Sequence, residues 1–127
     1  MPVAIRIEPE RKLVTFECSG LVVFDDVRTA FHGMFEDPQF APGINALWDL
    51  RHASIGLRMQ EIPGLLDMIS SRQRDRGKDY RVALLVSGSP DFGLSTLFEM
   101  SAHSMPFAVR VFRSHTEAAR WLSGKDA

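Results

Sequence analysis

Four histidines, one cysteine and a scatter of serines and acids are the residues of this 127-residue chain best suited to catalysis or metal binding. His32, His52, His103 and His115 form no i, i+4 pair and stand near no Cys or carboxylate at a ligand spacing, whereas zinc sites recur at short fixed intervals. No metal is expected. Gly93-Leu94-Ser95-Thr96-Leu97 carries the first half of a nucleophile elbow. It lacks the second glycine, and Ser95 falls in a helical pattern rather than on the strand-to-helix turn such a serine needs. Neither GxGxxG nor GxxxxGK[ST] occurs, which removes the usual grounds for dinucleotide or NTP binding, and no cofactor is expected. Cys18 takes an inward position of a strand pattern and reads as a small buried hydrophobe, not a reactive thiol. None of these residues falls in a pattern that supports a catalytic or metal site.

The elements that position these residues follow from hydrophobic period. Val3, Ile5 and Ile7 alternate with polar neighbours, and after Pro9 to Lys12 a second alternation runs through Val14, Phe16 and Cys18, the pattern of an antiparallel hairpin. Val27, Ala30, Phe31, Met34 and Phe35 then mark one face of a helix, with Asp25 and Asp26 at its positive end. Pro38, Pro42 and Gly43 make the loop that follows. Asn45 to Arg51 reads as a third strand. Met59, Ile62, Leu66 and Ile69 mark a second helix, which Pro63 requires to start near Met59 to Ile62. Arg72, Arg74, Arg76 and Gly77 mark its end. Tyr80 to Ser87 is an apolar fourth strand of the fully buried, central type. Ser89, Pro90 and Asp91 open a third helix, Phe107 to Arg113 is a fifth strand, and Ser114 with Glu117 forms a capping box for a last helix bearing Ala118, Trp121 and Leu122. Alternating strands and helices force right-handed crossovers. The fold class is therefore α/β, a five-stranded mixed sheet with about four helices, its first strand antiparallel. Residues 1–127 show no repeat or linker and read as a single domain.

In such sheets ligands gather outside the carboxyl ends of the strands. Asp49, Arg51, His52 and Ser54 follow the third strand, Ser87 and Ser89 the fourth, Arg113 and His115 the fifth. Asp49, Arg51, His52 and Ser89 are thus a candidate anion or partner site using helix N-terminal amides, although ordinary capping accounts for them more simply. Arg72, Arg74, Arg76 and Lys78 are interleaved with Asp75 and Asp79, and read as the solvated end of a helix. The second and third helices carry more apolar residues than one sheet face needs. Leu57, Met59, Ile62, Leu66, Phe92, Leu94, Leu97 and Phe98 are candidates to line an apolar groove between them, with Pro63, Gly64 and Gly56 letting the second helix swing outward. A two-sided core or a homodimer would bury the same residues.

Composition narrows the partners. Fifteen basic and sixteen acidic side chains give a net charge of −1, and nucleic acid, whose binding depends on phosphate neutralisation, is set aside. The apolar run Val82 to Val86 is far too short to cross a bilayer. No basic segment followed by an apolar one lies near Met1, so no signal peptide is expected. One cysteine fits a reducing cytoplasm.

Two stretches carry a resemblance to a known family. Tyr80-Arg81-Val82-Ala83-Leu84-Leu85-Val86 leads to Asp91-Phe92-Gly93-Leu94 with Phe98-Glu99, and Val109-Arg110-Val111-Phe112-Arg113 leads to Glu117-Ala118-Ala119-Arg120-Trp121-Leu122. In these the chain resembles the SpoIIAA-like proteins of the STAS class, related more distantly to CRAL-TRIO domains. The resemblance implies a STAS-like fold over nearly the whole chain and a non-enzymatic binding or regulatory module with a protein partner. The alternative, resting on the apolar surplus of the second and third helices, is a carrier of lipid or another small apolar ligand, peripheral at the membrane. In STAS regulators a phosphorylatable serine follows a strand ending in Asp-Leu. Trp48-Asp49-Leu50-Arg51 matches that strand end, the Asp-Ser-Ser-Gly run is absent, and Ser54 is the serine in that neighbourhood, a candidate phosphoacceptor.

Overall fold

The computed structural model describes residues 2–124, with the side chains of residues 89–92 outside the description. Ser89 and Phe92 are therefore placed only by their backbone. Strand β1 (Val3–Glu8) turns through a 3-10 segment at Pro9–Arg11 into β2 (Leu13–Val22), and Lys12 closes the turn at φ 51°. There follow α1 (Phe24–Glu36), β3 (Asn45–Ile55), a 3-10 turn at Met59–Glu61, α2 (Ile62–Ser71), the single turn α3 (Gln73–Arg76), β4 (Arg81–Leu85), α4 (Ser89–Ser101), β5 (Ala108–Phe112) and α5 (His115–Leu122). The sheet order is β1-β2-β3-β4-β5, antiparallel between β1 and β2 and parallel elsewhere. This is the mixed five-stranded α/β architecture read from the sequence, with α3 as an added fifth helix. β3 is the central strand. β4 stands next to the edge, and its unbroken apolar run reflects cover on both faces.

The two faces differ. Val14, Phe16, Cys18, Ala46, Leu50, Val82 and Leu84 face α1, α2 and α4 in the larger core. Leu13, Leu47, Ala83, Leu85 and Phe112 face α5 through Ala118, Trp121 and Leu122. Ser114 caps α5, its hydroxyl accepting from the Glu117 amide at 3.3 Å, as the capping-box spacing predicts. Asp26 caps α1 by accepting from the Val23 amide at 2.9 Å.

β3 is longer than its sequence pattern predicts, and the reason is a bulge. Glu17 pairs with Asp49 but Ser19 pairs with His52, so one extra residue of β3 is accommodated there. The inward set changes phase, from Ala46, Trp48 and Leu50 before the bulge to Ala53 and Ile55 after it. At the far edge, the outward Val111 amide donates to the Glu99 carboxylate of α4 at 3.1 Å.

Candidate functional site

The anion site expected at the carboxyl ends of the strands does not assemble. Asp49 and Arg51 satisfy each other: Arg51 Nε donates to Oδ1 at 2.9 Å and Nη2 to Oδ2 at 2.7 Å. The hydrogen bonds from Arg51, with its charge, hold the Asp49 carboxyl below the usual carboxylate range. His52 and Ser54 lie within β3, both exposed, Ser54 in register with Leu21. Ser54 is thus in a strand, with α2 beginning only at Ile62, which corrects the helix-entry position expected for a phosphoacceptor. Asp49, Arg51 and His115 do share a groove beside α5, opposite the larger core, with Arg6, Glu8, Arg11, Lys12 and Glu17. Its charges are largely internally paired, Arg6 to Glu17 at 3.0 Å and Arg11 to Glu8 at 3.4 Å. Cys18 is buried, and desolvation, aided by the nearby Asp49 charge, pushes its thiol up to about 12, so it is no nucleophile at neutral pH.

The cavity lies elsewhere, inside the larger core. A space of about 120 Å³ separates the sheet from the helices, and its walls come from Phe16, Val22, Trp48, Leu50, Val82 and Leu84 of the sheet, Val27, Phe31 and Met34 of α1, Ile62, Leu65, Met68 and Ile69 of α2, and Leu94, Ser95 and Phe98 of α4. Ile55 and Leu57 line it near the carboxyl end of β3, Tyr80 and Phe107 near the amino ends of β4 and β5. Phe16 and Trp48 stack at 3.9 Å and present one flat wall. Of the residues expected to line an apolar groove, Leu57, Ile62, Leu94 and Phe98 do so. Leu66 and Leu97 pack against the core without reaching the cavity, and Met59 points away at 67% exposure. Phe92 lies outside the described side chains. The space is therefore between sheet and helices, not between the two helices alone, because Phe31 and Met34 of α1 close its third side.

One residue changes the cavity's chemistry. Arg76, expected on a solvated helix end, is 2% exposed and lines the cavity. Its guanidinium lies 3.7 Å over the ring of Tyr80, which itself stacks on Phe107 at 4.8 Å, an arrangement that attracts the cation to the ring face. Nη1 has no hydrogen-bond partner among the described residues. Burial lowers the guanidinium to about 10, so it is still a cation at neutral pH, and raises the Tyr80 hydroxyl to about 12.

The local backbone forces Arg76 inward. Gly77 ends α3 at φ 91°, a conformation glycine tolerates and L side chains rarely adopt. A Cβ on it would stand 2.6 Å from the Gly43 nitrogen. Gly43 in turn donates to the Arg76 carbonyl at 2.8 Å, so the loop before β3 clamps the single turn of α3 against the sheet. Arg72, by contrast, lies over Phe35 at 4.0 Å and meets His32 Nδ1 at 3.0 Å, covering α1 from outside. No local signal marks Arg76 in the sequence, because the groups that enclose it, Phe40, Gly43 and Phe107, come from other parts of the chain.

A mixed sheet with one antiparallel edge strand, crossover helices on one face, a C-terminal helix on the other and a cavity against the larger core is a SpoIIAA-like α/β fold. Among solved structures, the chain is similar to an uncharacterized protein from the DUF3478 family with a SpoIIAA-like fold from Shewanella loihica PV-4, at a TM-score of 0.60 and 18% identity, covering 94% of this chain and 91% of that one. At that identity the likeness is one of fold. No family model matches the sequence, and no curated protein does. Among the described residues no helix is long and apolar enough to cross a membrane.

Proposed function

We propose that this STAS-like domain is a non-enzymatic binding module whose ligand is a small apolar or amphiphilic molecule held between the sheet and α1, α2 and α4. The observation that carries the reading is the cavity itself. Native interiors are packed with few voids larger than a water molecule, whereas here a space of about 120 Å³, partly open to the surface, remains behind an almost wholly apolar wall. A cavity of roughly 150 Å³ with aliphatic and aromatic walls stays dry and takes up benzene. The polar side chains on the wall are Arg76, Tyr80 and Ser95, with no histidine or carboxylate among the described lining residues to act as a base. That favours binding over catalysis.

Filling the space tests the reading. Ala46 is buried on the cavity wall, and Ala46→Leu should abolish the chemical-shift changes that hexanol produces in ¹H–¹⁵N spectra of the wild type, with the fold retained. Hexanol binding that survives this substitution, or no binding to the wild type at millimolar concentration, refutes it.

A second reading concerns where the ligand comes from. Leu21 and Val23, two residues apart, are exposed at 64% and 37%, and Met59, ahead of α2, is exposed at 67%. Leu21 and Val23 close on Gly56, whose amide donates to the Val22 carbonyl at 2.7 Å, next to the cavity residues Ile55 and Leu57. These exposed apolar side chains support contact with another apolar surface, a protein partner or a bilayer at which the domain is peripheral. Co-sedimentation with neutral and anionic vesicles separates the two: no association with either leaves the protein partner.

A further inference from the structure

We propose that the cavity's ligand is a monoanionic amphiphile, a short-chain carboxylate in the simplest case, whose head group pairs with the Arg76 guanidinium while its chain lies along the Phe16–Trp48 wall. The inference rests on the ligand-binding reading above and adds the head group. A buried charge without a partner is costly, and natural proteins pair such groups or coordinate them. Here Arg76 is one of the residues that line the cavity, and its Nη1 is buried with no hydrogen-bond partner among the described residues. The backbone holds it there: the Gly77 turn and the Gly43 hydrogen bond leave α3 little freedom to release the side chain to water. The Tyr80 ring supports one face of the guanidinium at 3.7 Å, leaving its edge for an acceptor.

The charge and shape of the head group follow from the wall. Arg76 is the one cation among the described lining residues, so it matches one negative charge, and its planar fork suits a carboxylate's two oxygens. A phosphate monoester would bring nearly two charges into the same apolar space and leave one uncompensated. The size of the space, compared with the roughly 150 Å³ that accepts benzene, corresponds to a chain of about four to six carbons.

The experiment is a ¹H–¹⁵N titration of the full chain with hexanoate, hexanol and hexyl phosphate, repeated on Arg76→Met and Arg76→Lys. The wild type should bind hexanoate at least tenfold more tightly than hexanol and more tightly than hexyl phosphate. Arg76→Met should lose that preference and keep hexanol binding, and Arg76→Lys, which keeps the charge without the fork, should fall between. Equal or tighter binding of hexanol by the wild type overturns the head-group assignment and leaves the apolar cavity reading standing. Tighter binding of hexyl phosphate overturns the choice of carboxylate. Binding of none of the three overturns both. The wild-type comparison decides the matter even where a variant fails to fold.

Discussion

Replacing Arg76 with methionine should stabilise the ligand-free protein, although it removes a buried side chain of similar length. In the native state the guanidinium is 2% exposed, with Nη1 unpartnered among the described residues. Desolvation dominates its fall from the ordinary arginine value to about 10. At 1.36 kcal/mol per unit this is about 3 kcal/mol against the charged form at neutral pH. Against it stands the loss of the cation–ring contact with Tyr80, worth about 1 to 2 kcal/mol when desolvated. Methionine returns part of that through its own sulfur–aromatic contact, about 0.3 to 1.5 kcal/mol. The backbone bond from Gly43 to the residue 76 carbonyl is unaffected by the change of side chain. The balance is a gain of about 1 to 3 kcal/mol, read as a higher urea midpoint at unchanged m-value and a rise of several degrees in Tm. The sign also fixes a pH dependence. A cation whose folded pKa is depressed leaves the unfolded state holding more protons between about pH 10 and the ordinary arginine value, so wild-type stability contributed by this group rises through that window. Below it the penalty is constant, and the variant's advantage at pH 6 to 8 should not vary through Arg76. A destabilisation of 1 kcal/mol or more at neutral pH would refute the reasoning, by showing that the guanidinium is satisfied in the empty protein.

Other substitutions probe the frame around the site. Trp121→Ala should cost about 3 to 5 kcal/mol by urea denaturation, because Trp121 is 8% exposed, packs on Phe112 and lies under Arg81; an unchanged midpoint would remove α5 from the account of the second core. Gly77→Ala should cost about 2 kcal/mol or more, since it combines a strained φ with a 2.6 Å approach to the Gly43 backbone, and it should loosen Arg76, seen as weaker hexanoate binding in what remains folded. Asp49→Asn should remove a contribution of about 0.5 to 1 kcal/mol. Because the Asp49 pKa is lowered by Arg51, that contribution is present above the unfolded value of about 3.8 and lost as pH falls through the folded one, so the two proteins should converge in acid.

The sheet was legible because its signals are local. Alternation in β1 and β2, the apolar run of β4 and the Ser114–Glu117 spacing each report on neighbours a few residues away. The end of β3 was not, because the bulge opposite Glu17 to Ser19 shifts the inward phase at Leu50 and Arg51, and a phase shift reads as the end of a strand. The apolar surplus of α2 and α4 was legible, and Leu57, Ile62, Leu94 and Phe98 do meet at the cavity. The depth of the cavity was not, since its remaining wall comes from α1 and the strands, far away in the chain. Arg76 was misread for a related reason. Its neighbours Arg72, Arg74 and Lys78 make a basic cluster with Asp75 and Asp79 between them, and only the closure of Phe40, Gly43, Tyr80 and Phe107 around it makes one member internal.

The Glu99 contact on β5 bears on how the chain behaves while it is still folding. β5 is the last strand of the sheet, and its outward amides form a template onto which a strand of another molecule can add. In the finished protein the Glu99 carboxylate occupies the Val111 amide, and the exposed charge of Arg110 lies on the same strand. That carboxylate arrives only when α4 docks. Until α4 docks, the Val111 position of that edge is open to strand addition, which ties resistance to aggregation at this position to the seating of α4.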